Sequence, residues 1–284
     1  MRKATVEIIY QDQDIIVINK PSGVSVTADR TGNAELRDLL GDQLGQQTAG
    51  QLRLVHRLDK DTSGVMILAL NPQAQAEFSD YFEKRQVKKT YLALVAGPTP
   101  APEGAIDAPL AQDPNNPQLM RIAHKKGKEA VTRWRLLADF GMTALLAVNP
   151  ETGRTHQIRV HLPSIGLPLA IDPLYGTSKP LFLSEFKSDY RLGKDQIEKP
   201  LIDRLTLHAY QLSAPTDPKG PMSSFRAEPR NLIENSLQRP DCFVARLDKK
   251  FTATLKMLTK YNPKAPDSFL NPHDFSTILN GERL

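Results

Sequence analysis

The run Leu54-Val55-His56-Arg57-Leu58-Asp59-Lys60-Asp61-Thr62-Ser63-Gly64, followed at once by Val65-Met66-Ile67-Leu68-Ala69-Leu70, constrains this chain more than any other segment. A charged turn with two acids abuts an apolar run too short to cross a bilayer and of the right length for one buried strand. A strand of that kind is a rigid scaffold. It places Asp59 at the mouth of a sheet, where a carboxylate can be held in one geometry, and loops anchored this way carry chemistry.

The rest of the pattern is built around short strands. Residues 13–20 read as a buried strand that ends at the turn Pro21-Ser22-Gly23. Asn33 to Leu44 has Leu36, Leu39, Leu40 and Leu44 at helical spacing, with Asn33 as the cap. Asn71-Pro72 opens a helix through Arg85, with Phe78 and Phe82 on one face. Strands are expected at Thr90–Ala96, Ala130–Leu137, Thr143–Val148 and Thr206–Leu212. Between the first two, residues 97–128 hold six prolines and read as connecting loops with a short strand near Ile106. Thr155–Leu162 reads as a helix, and the charged stretch 176–204 as an insertion with one short helix. Asp241 to Met257 carries Phe243, Leu247, Phe251, Leu255 and Leu258 at three- and four-residue spacing. That is an amphipathic helix, either packed on the body or serving as an RNA-contacting tail. Strands arriving in pairs, with helices interspersed irregularly, predict an α+β fold with a mixed sheet rather than a doubly wound one.

Elimination narrows the chemistry. The chain has no phosphate-binding G-x-x-x-x-G-K-[ST], no G-x-G-x-x-G and no G-x-S-x-G, which removes local support for an NTPase, a dinucleotide enzyme or an α/β-hydrolase. A single cysteine, Cys242, permits no intrachain disulfide and no cysteine-based metal site, and makes a bacterial-type cytoplasm, or another reducing compartment, the expected location. His156 and His161 are badly spaced for joint ligation from one helix, and no H-E-x-x-H occurs, so no metal is expected. The first residues lack the apolar stretch of a secretory signal, and no membrane association is expected. A net charge of +5, with Lys84-Arg85, Lys88-Lys89 and Lys125-Lys126-Gly127-Lys128 near the polar segments, suits a nucleic-acid partner, although a solvated surface explains each cluster taken singly.

Three constellations remain. Asp61, followed by Thr-Ser-Gly, reads as a residue that shapes its turn, whereas Asp59 follows Arg57 and a strand-like Leu52–Val55 and can face a cleft. A carboxylate nucleophile there needs a nearby cation to stay ionised and positioned. Glu151 to Leu162 places Arg154, Gln157, Arg159 and His161 at a helix start after Gly153, with Thr155 as the cap, an arrangement suited to anions. Lys88-Lys89-Thr90-Tyr91-Leu92-Ala93 puts Tyr91 in a strand, where a tyrosine either packs or stacks on a base for about 1–3 kcal/mol.

In this order the pieces resemble an RluA-type pseudouridine synthase. Asp12 to Gly23 resembles the family's first motif and His56 to Gly64 its catalytic loop. Lys89 to Ala93, Gly127 to Thr132, Thr152 to His161 and Leu205 to Ala209 follow, so the resemblance covers residues 8–235 as a catalytic domain and leaves 236–284 as a C-terminal helical extension. It implies a mixed, largely antiparallel central sheet with flanking helices and a basic catalytic cleft. It also implies isomerisation of uridine to pseudouridine in folded ribosomal or transfer RNA, without metal, nucleotide or organic cofactor, by a cytoplasmic monomer. Asp59 falls on the family's essential aspartate, which acts by attack on the sugar, by attack on the base, or by removing a ribose proton. Tyr91 falls on the tyrosine that packs against the target base and is a candidate for proton removal at C5. An arginine of the 153–161 segment should pair with Asp59: Arg159 is the choice and Arg154 the alternative, otherwise placed at phosphate. Arg57 resembles the residue that enters the RNA stack when the target nucleotide is flipped out. His56, Lys88, Lys89 and Lys128 complete the expected RNA contacts.

The chain departs from the family where Leu169-Ala170-Ile171-Asp172-Pro173-Leu174-Tyr175-Gly176 has Ile171 at a position often held by glycine. No module of the S4 type precedes residue 8, so the core and its insertions are expected to recognise the RNA. Two other classes compete: an RNA-binding protein that has lost catalysis, and a glycoside hydrolase, which would need a second carboxylate within roughly 5–10 Å of Asp59.

Overall fold

The computed structural model describes residues 5–27, 36–99, 101–187, 189–193, 196–215, 240–261 and 272–284. In chain order the elements are β1 (Glu7–Gln11), β2 (Ile15–Lys20), α1 (Leu36–Leu44), α2 (Gln46–Gln51), β3 (Arg53–Leu54), β4 (Ser63–Ala69), α3 (Pro72–Glu83), β5 (Lys88–Ala96), β6 (Glu103–Asp107), β7 (Leu110–Gln112), β8 (Met120–Ile122), β9 (Val131–Asp139), β10 (Thr143–Pro150), α4 (Gln157–Ser164), β11 (Leu207–Ser213), β12 (Cys242–Val244), α5 (Lys249–Lys260) and α6 (Pro272–Asn280). The architecture is α+β, largely antiparallel, with flanking helices, and the chain folds as two units. One comprises the chain to Lys89 together with Ala209–Ala245; the other comprises Thr90–His208 and Arg246–Glu282.

In the first unit the order is β1-β2-β4-β11, with β12 on β11 and β3 on β4. All seven residues of β4 are buried, which is why its sequence reads as an unbroken apolar run rather than an alternation. β2 pairs with β4 from Ile15↔Ala69 to Lys20↔Gly64. Gly64 has φ +121°, and a Cβ there would lie 2.1 Å from the Ala209 carbonyl oxygen. Only glycine therefore permits the close approach of β4 and β11 directly after the charged turn. Helix α3 is capped by Asn71, whose Oδ1 accepts from the Ala74 amide at 2.8 Å, and it buries Ala74 and Phe78.

The second unit has the order β5-β10-β9-β6, all antiparallel. Its core joins Leu146, Val148, Ile158, Leu162, Leu169 and Leu207 among others, with Tyr91 packed at the margin. Helix α5 buries Phe251, Thr254, Leu255 and Leu258, and Lys250 reaches Asp203 at 2.8 Å, so the C-terminal segment packs on its own unit. Burial alone would raise the Asp248 carboxyl, but the Arg204 guanidinium bonded to it and the Phe251 amide hold it below its usual value.

Several boundaries differ from expectation for local reasons. The expected helix from Asp241 begins only at Lys249, because Asp248 caps it and Cys242–Val244 is instead paired with β11. The periodicity of Phe243 is thus coincidental. The proline-rich stretch contains a hairpin, β7–β8, as well as the expected strand β6. Among the described residues the insertion contributes one 3-10 turn, Leu183–Glu185. Asn33, the expected cap of α1, lies outside the described residues.

Candidate active site

The turn carrying Asp59 is held by the turn that ends β2. Lys20 is completely buried, and its ammonium donates to three carbonyls: Pro21 at 3.1 Å, Val24 at 2.8 Å and Lys60 at 2.8 Å. The Gly23 amide also donates to the Lys60 carbonyl, the Ser22 hydroxyl donates to Asp61 O at 2.6 Å, and the Thr62 amide closes back on Asp59 O at 3.2 Å. Both turns therefore share one hydrogen-bond network, and the backbone at Asp59 is fixed from both sides. Asp59 itself is half-buried and Arg57 is exposed.

His56 is half-buried. Where β3 stops pairing with β4, the His56 Nε2 accepts the Ile67 amide at 2.9 Å, and the ring stacks on Phe82 with centroids 4.4 Å apart. Burial, and secondly the nearby Lys89 ammonium, push its pKa down to about 3, so the imidazole is neutral throughout the physiological range. Lys89 is in turn pushed down to about 8 by burial and by Arg85, while Lys88 is exposed.

In the second unit Tyr91 lies on β5 opposite Val148 of β10, half-buried. The helix start does not form the open anion site its sequence implies. Thr155 is not the cap: the cap position is His156, in the left-handed region with φ 54°. Gln157, Arg159 and His161 are 4%, 2% and 0% exposed. Gln157 accepts from Thr152 Oγ1 and the Arg154 amide and donates to Val131 O and Thr132 Oγ1. The His161 Nε2 faces the Ala108 carbonyl at 2.9 Å and so carries the ring proton, leaving Nδ1 to accept from Thr132. Burial lowers its pKa, although the Ala108 carbonyl and Asp107 oppose this. These polar residues form a satisfied internal network that fixes α4 against β9.

Arg159 is bound side-on by Asp172, Nε to Oδ2 at 2.8 Å and Nη2 to Oδ1 at 2.7 Å, with both side chains 2% exposed. The Tyr175 ring covers its guanidinium at 5.3 Å. The Tyr175 hydroxyl accepts the Met120 amide at 2.8 Å and reaches His156 Nδ1 at 2.7 Å, tying β8 to the same cluster. Asp172 and Tyr175 thus orient Arg159, a role that sequence reading did not assign to them. The available signal was an acid and a tyrosine flanking Pro173-Leu174 in a stretch otherwise apolar. Ile171 is accommodated: it is buried, with its amide on Thr206 Oγ1 at 3.2 Å. Arg154 is half-buried, its Nε donating to the Glu129 carbonyl at 2.9 Å, and Lys128 is exposed. Among the described residues no group of three or more His, Cys, Asp or Glu side chains is placed to hold a metal ion, and no helix is long and apolar enough to cross a membrane.

The α+β, largely antiparallel fold is that of the pseudouridine synthases, as comparison with known proteins shows. The model of the family described as RNA pseudouridylate synthase matches residues 14–164. An uncharacterised RNA pseudouridine synthase of Zymomonas mobilis is 42% identical over 174 residues, 61% of this chain and 79% of that protein. The ribosomal large subunit pseudouridine synthase D of Nitrosomonas europaea is 35% identical over 250 residues, 82% of this chain and 68% of that one. Among solved structures, human RNA pseudouridylate synthase domain containing 4 superposes with a TM-score of 0.58 at 26% identity, covering 89% of this chain and 92% of that chain. The chain belongs to the RNA pseudouridylate synthase family, RluA type, and is an isomerase that acts on RNA. Membership sets aside the glycoside hydrolase reading.

Proposed function

We propose that this chain converts specific uridines in structured RNA to pseudouridine, as a cytoplasmic monomer that uses Asp59 and no cofactor. The observation that carries the reading is the network through which Lys20, Ser22 and Gly23 hold the backbone of residues 59–62. A catalytic carboxylate needs that preorganisation. In the isomerisation the bond from C1′ to N1 breaks, a bond from C1′ to C5 forms, the C5 proton leaves and N1 gains a proton, so no external reactant is consumed. Asp59 acts in the cleavage, through the sugar, the base or a ribose proton. Arg159, oriented by Asp172 and Tyr175, is assigned to the Asp59 carboxylate, with Arg154 as the alternative. Tyr91 packs on the uracil and takes the C5 proton.

Arg57 fills the space left by the flipped nucleotide, and its exposure suits that role. Lys88, Lys128 and Arg154 meet phosphates, Lys89 with them, while neutral His56 contributes through position rather than charge. Residues 8–235 form the catalytic domain and 236–284 an extension to it. The names of relatives such as the Nitrosomonas protein favour large-subunit ribosomal RNA over transfer RNA as the substrate. The test is to map pseudouridines in ribosomal and transfer RNA from cells with and without the gene. At least one site should vanish in the deletion and return with the wild-type gene; an unchanged map refutes the proposal.

A further inference from the structure

Helix α5 (Lys249–Lys260) lies outside the stretch that matches the family model, residues 14–164. One of its faces, with Phe251, Thr254, Leu255 and Leu258, is buried in its own unit. On the opposite side Lys249, Ala253, Lys256 and Lys260 are exposed. At about 100° and 1.5 Å per residue these four fall within about 60° of one another and span about 16 Å. Lys250, a quarter turn away, is paired with Asp203 at 2.8 Å, whereas among the described residues Lys249, Lys256 and Lys260 have no carboxylate partner. The stripe continues past the helix end. The ammoniums of Lys260 and of Lys187, from the 176–204 insertion, each lie 5.3 Å from the Tyr261 ring centroid. Two segments remote in sequence thus bring their cations to one ring.

Local energetics oppose this arrangement. Lys249 opens the helix, where the macrodipole favours an acid and disfavours a cation. Lys256 and Lys260 stand four apart, a like-charge spacing that weakens a helix. The helix has the sequence KKFTATLKMLTK, with no acid of its own to offset them. Cations gathered on one solvent-facing stripe against these preferences are stabilised most by an anionic partner. The apolar face of α5 is already buried in the protein, so the helix has none left to lay into a bilayer surface. A row of ammoniums on a stripe whose fourth member is alanine has nothing to read a base edge. It suits the phosphates of an RNA strand, which position the nucleic acid irrespective of its sequence.

We propose that Lys249, Lys256 and Lys260 on the outer face of α5, continued by Lys187, form an auxiliary surface for the phosphate backbone of the RNA substrate. The inference rests on the proposed action on structured RNA, and gives the C-terminal extension a part in it. Its test uses the full chain, an unmodified transcript of large-subunit ribosomal RNA, and two double variants: Lys249→Gln with Lys256→Gln, and Lys249→Arg with Lys256→Arg. Dissociation constants are measured between about 50 and 200 mM salt, alongside thermal melting and pseudouridine formation. The glutamine pair should bind roughly ten- to sixtyfold more weakly at about 100 mM salt, and lose about 1.4–1.8 from the slope of log affinity against log salt. It should melt at or slightly above the parent, because two unfavourable charges leave the helix. The arginine pair should keep the parent's slope. A glutamine pair with unchanged affinity and slope overturns the surface, whatever its melting temperature. A lowered slope accompanied by melting several degrees below the parent, or shared by the arginine pair, overturns it equally, because the lysines would then act through the fold. Binding of the parent to phosphatidylglycerol vesicles that the glutamine pair loses, with RNA binding unchanged, would assign the face to a membrane and overturn the proposal. A parent that binds the transcript with the predicted slope difference but forms no pseudouridine in any RNA refutes the functional proposal and leaves the surface standing. A parent without measurable RNA affinity overturns both.

Discussion

Replacing Asp172 by asparagine keeps its shape and removes its charge, which makes it a sharp probe of how Arg159 is held. The native pair makes two charge-assisted bonds of 2.8 and 2.7 Å with both side chains 2% exposed. In either orientation of the amide, its NH2 group must face an Arg159 N–H, so one bond becomes a repulsive contact and the buried guanidinium loses the Asp172 charge. Breaking a buried pair from one side in this way costs about 3–5 kcal/mol. At about 2–4 °C per kcal/mol, melting should fall by roughly 6–20 °C. Trp134, the chain's single tryptophan, is buried in β9 of the same unit and reports its unfolding in urea; the midpoint should fall with little change in slope. A double variant, Arg159→Met with Asp172→Leu, removes both charges and should recover most of the lost stability while remaining inactive. A loss below about 1 kcal/mol in Asp172→Asn, or a double variant as unstable as the single one, would refute this reasoning.

Lys20→Met should destabilise the first unit by about 2–4 kcal/mol and slow turnover, because the half-buried Pro21 and Val24 carbonyls lose the Lys20 donor and the Lys60 carbonyl keeps only the Gly23 amide, while relief of a buried ammonium offsets only part of that. Urea unfolding by circular dichroism checks it, and an unaltered midpoint would count against the cradle. His56 binds no proton in the folded state until about pH 3, whereas unfolded histidine does so near 6.5. Its contribution to stability is therefore full above pH 6.5 and is lost progressively as pH falls towards 3. His56→Gln supplies an acceptor for the Ile67 amide without titrating, so the stability difference between parent and variant should change across that window; a difference constant with pH would show that the imidazole is not buried neutral. Gly64→Ala places a Cβ 2.1 Å from the Ala209 carbonyl oxygen and should yield little soluble protein. A soluble, fully active variant would disprove the close approach of β4 and β11.

Much of this fold is legible because its central strands are buried. Val65 to Leu70 and residues 13–20 announce β4 and β2, and Asn71-Pro72 announces α3 through a cap and a proline whose roles are local. The hairpin β7–β8 is not announced, because Pro109, Pro114 and Pro117 read as loop and its pairing depends on the Tyr175 hydroxyl 55 residues downstream of Met120. At the site, the motif residues were visible but their division of labour was not. Gln157 and His161 look like anion contacts in sequence and are internal ties. Lys20 looks like the polar end of a strand and instead holds the turn of Asp59 through the Lys60 carbonyl. The Asp172 partnership of Arg159 joins residues across a loop, which periodicity does not encode.

The central claim is that Asp59, held by that cradle, is the group that breaks the glycosidic bond. The direct measurement is single-turnover pseudouridine formation by Asp59→Asn on an RNA carrying the mapped target uridine, with affinity and melting temperature measured in parallel. No detectable pseudouridine should form, with RNA affinity and stability close to the parent's. Pseudouridine formed at the parent's rate would contradict it.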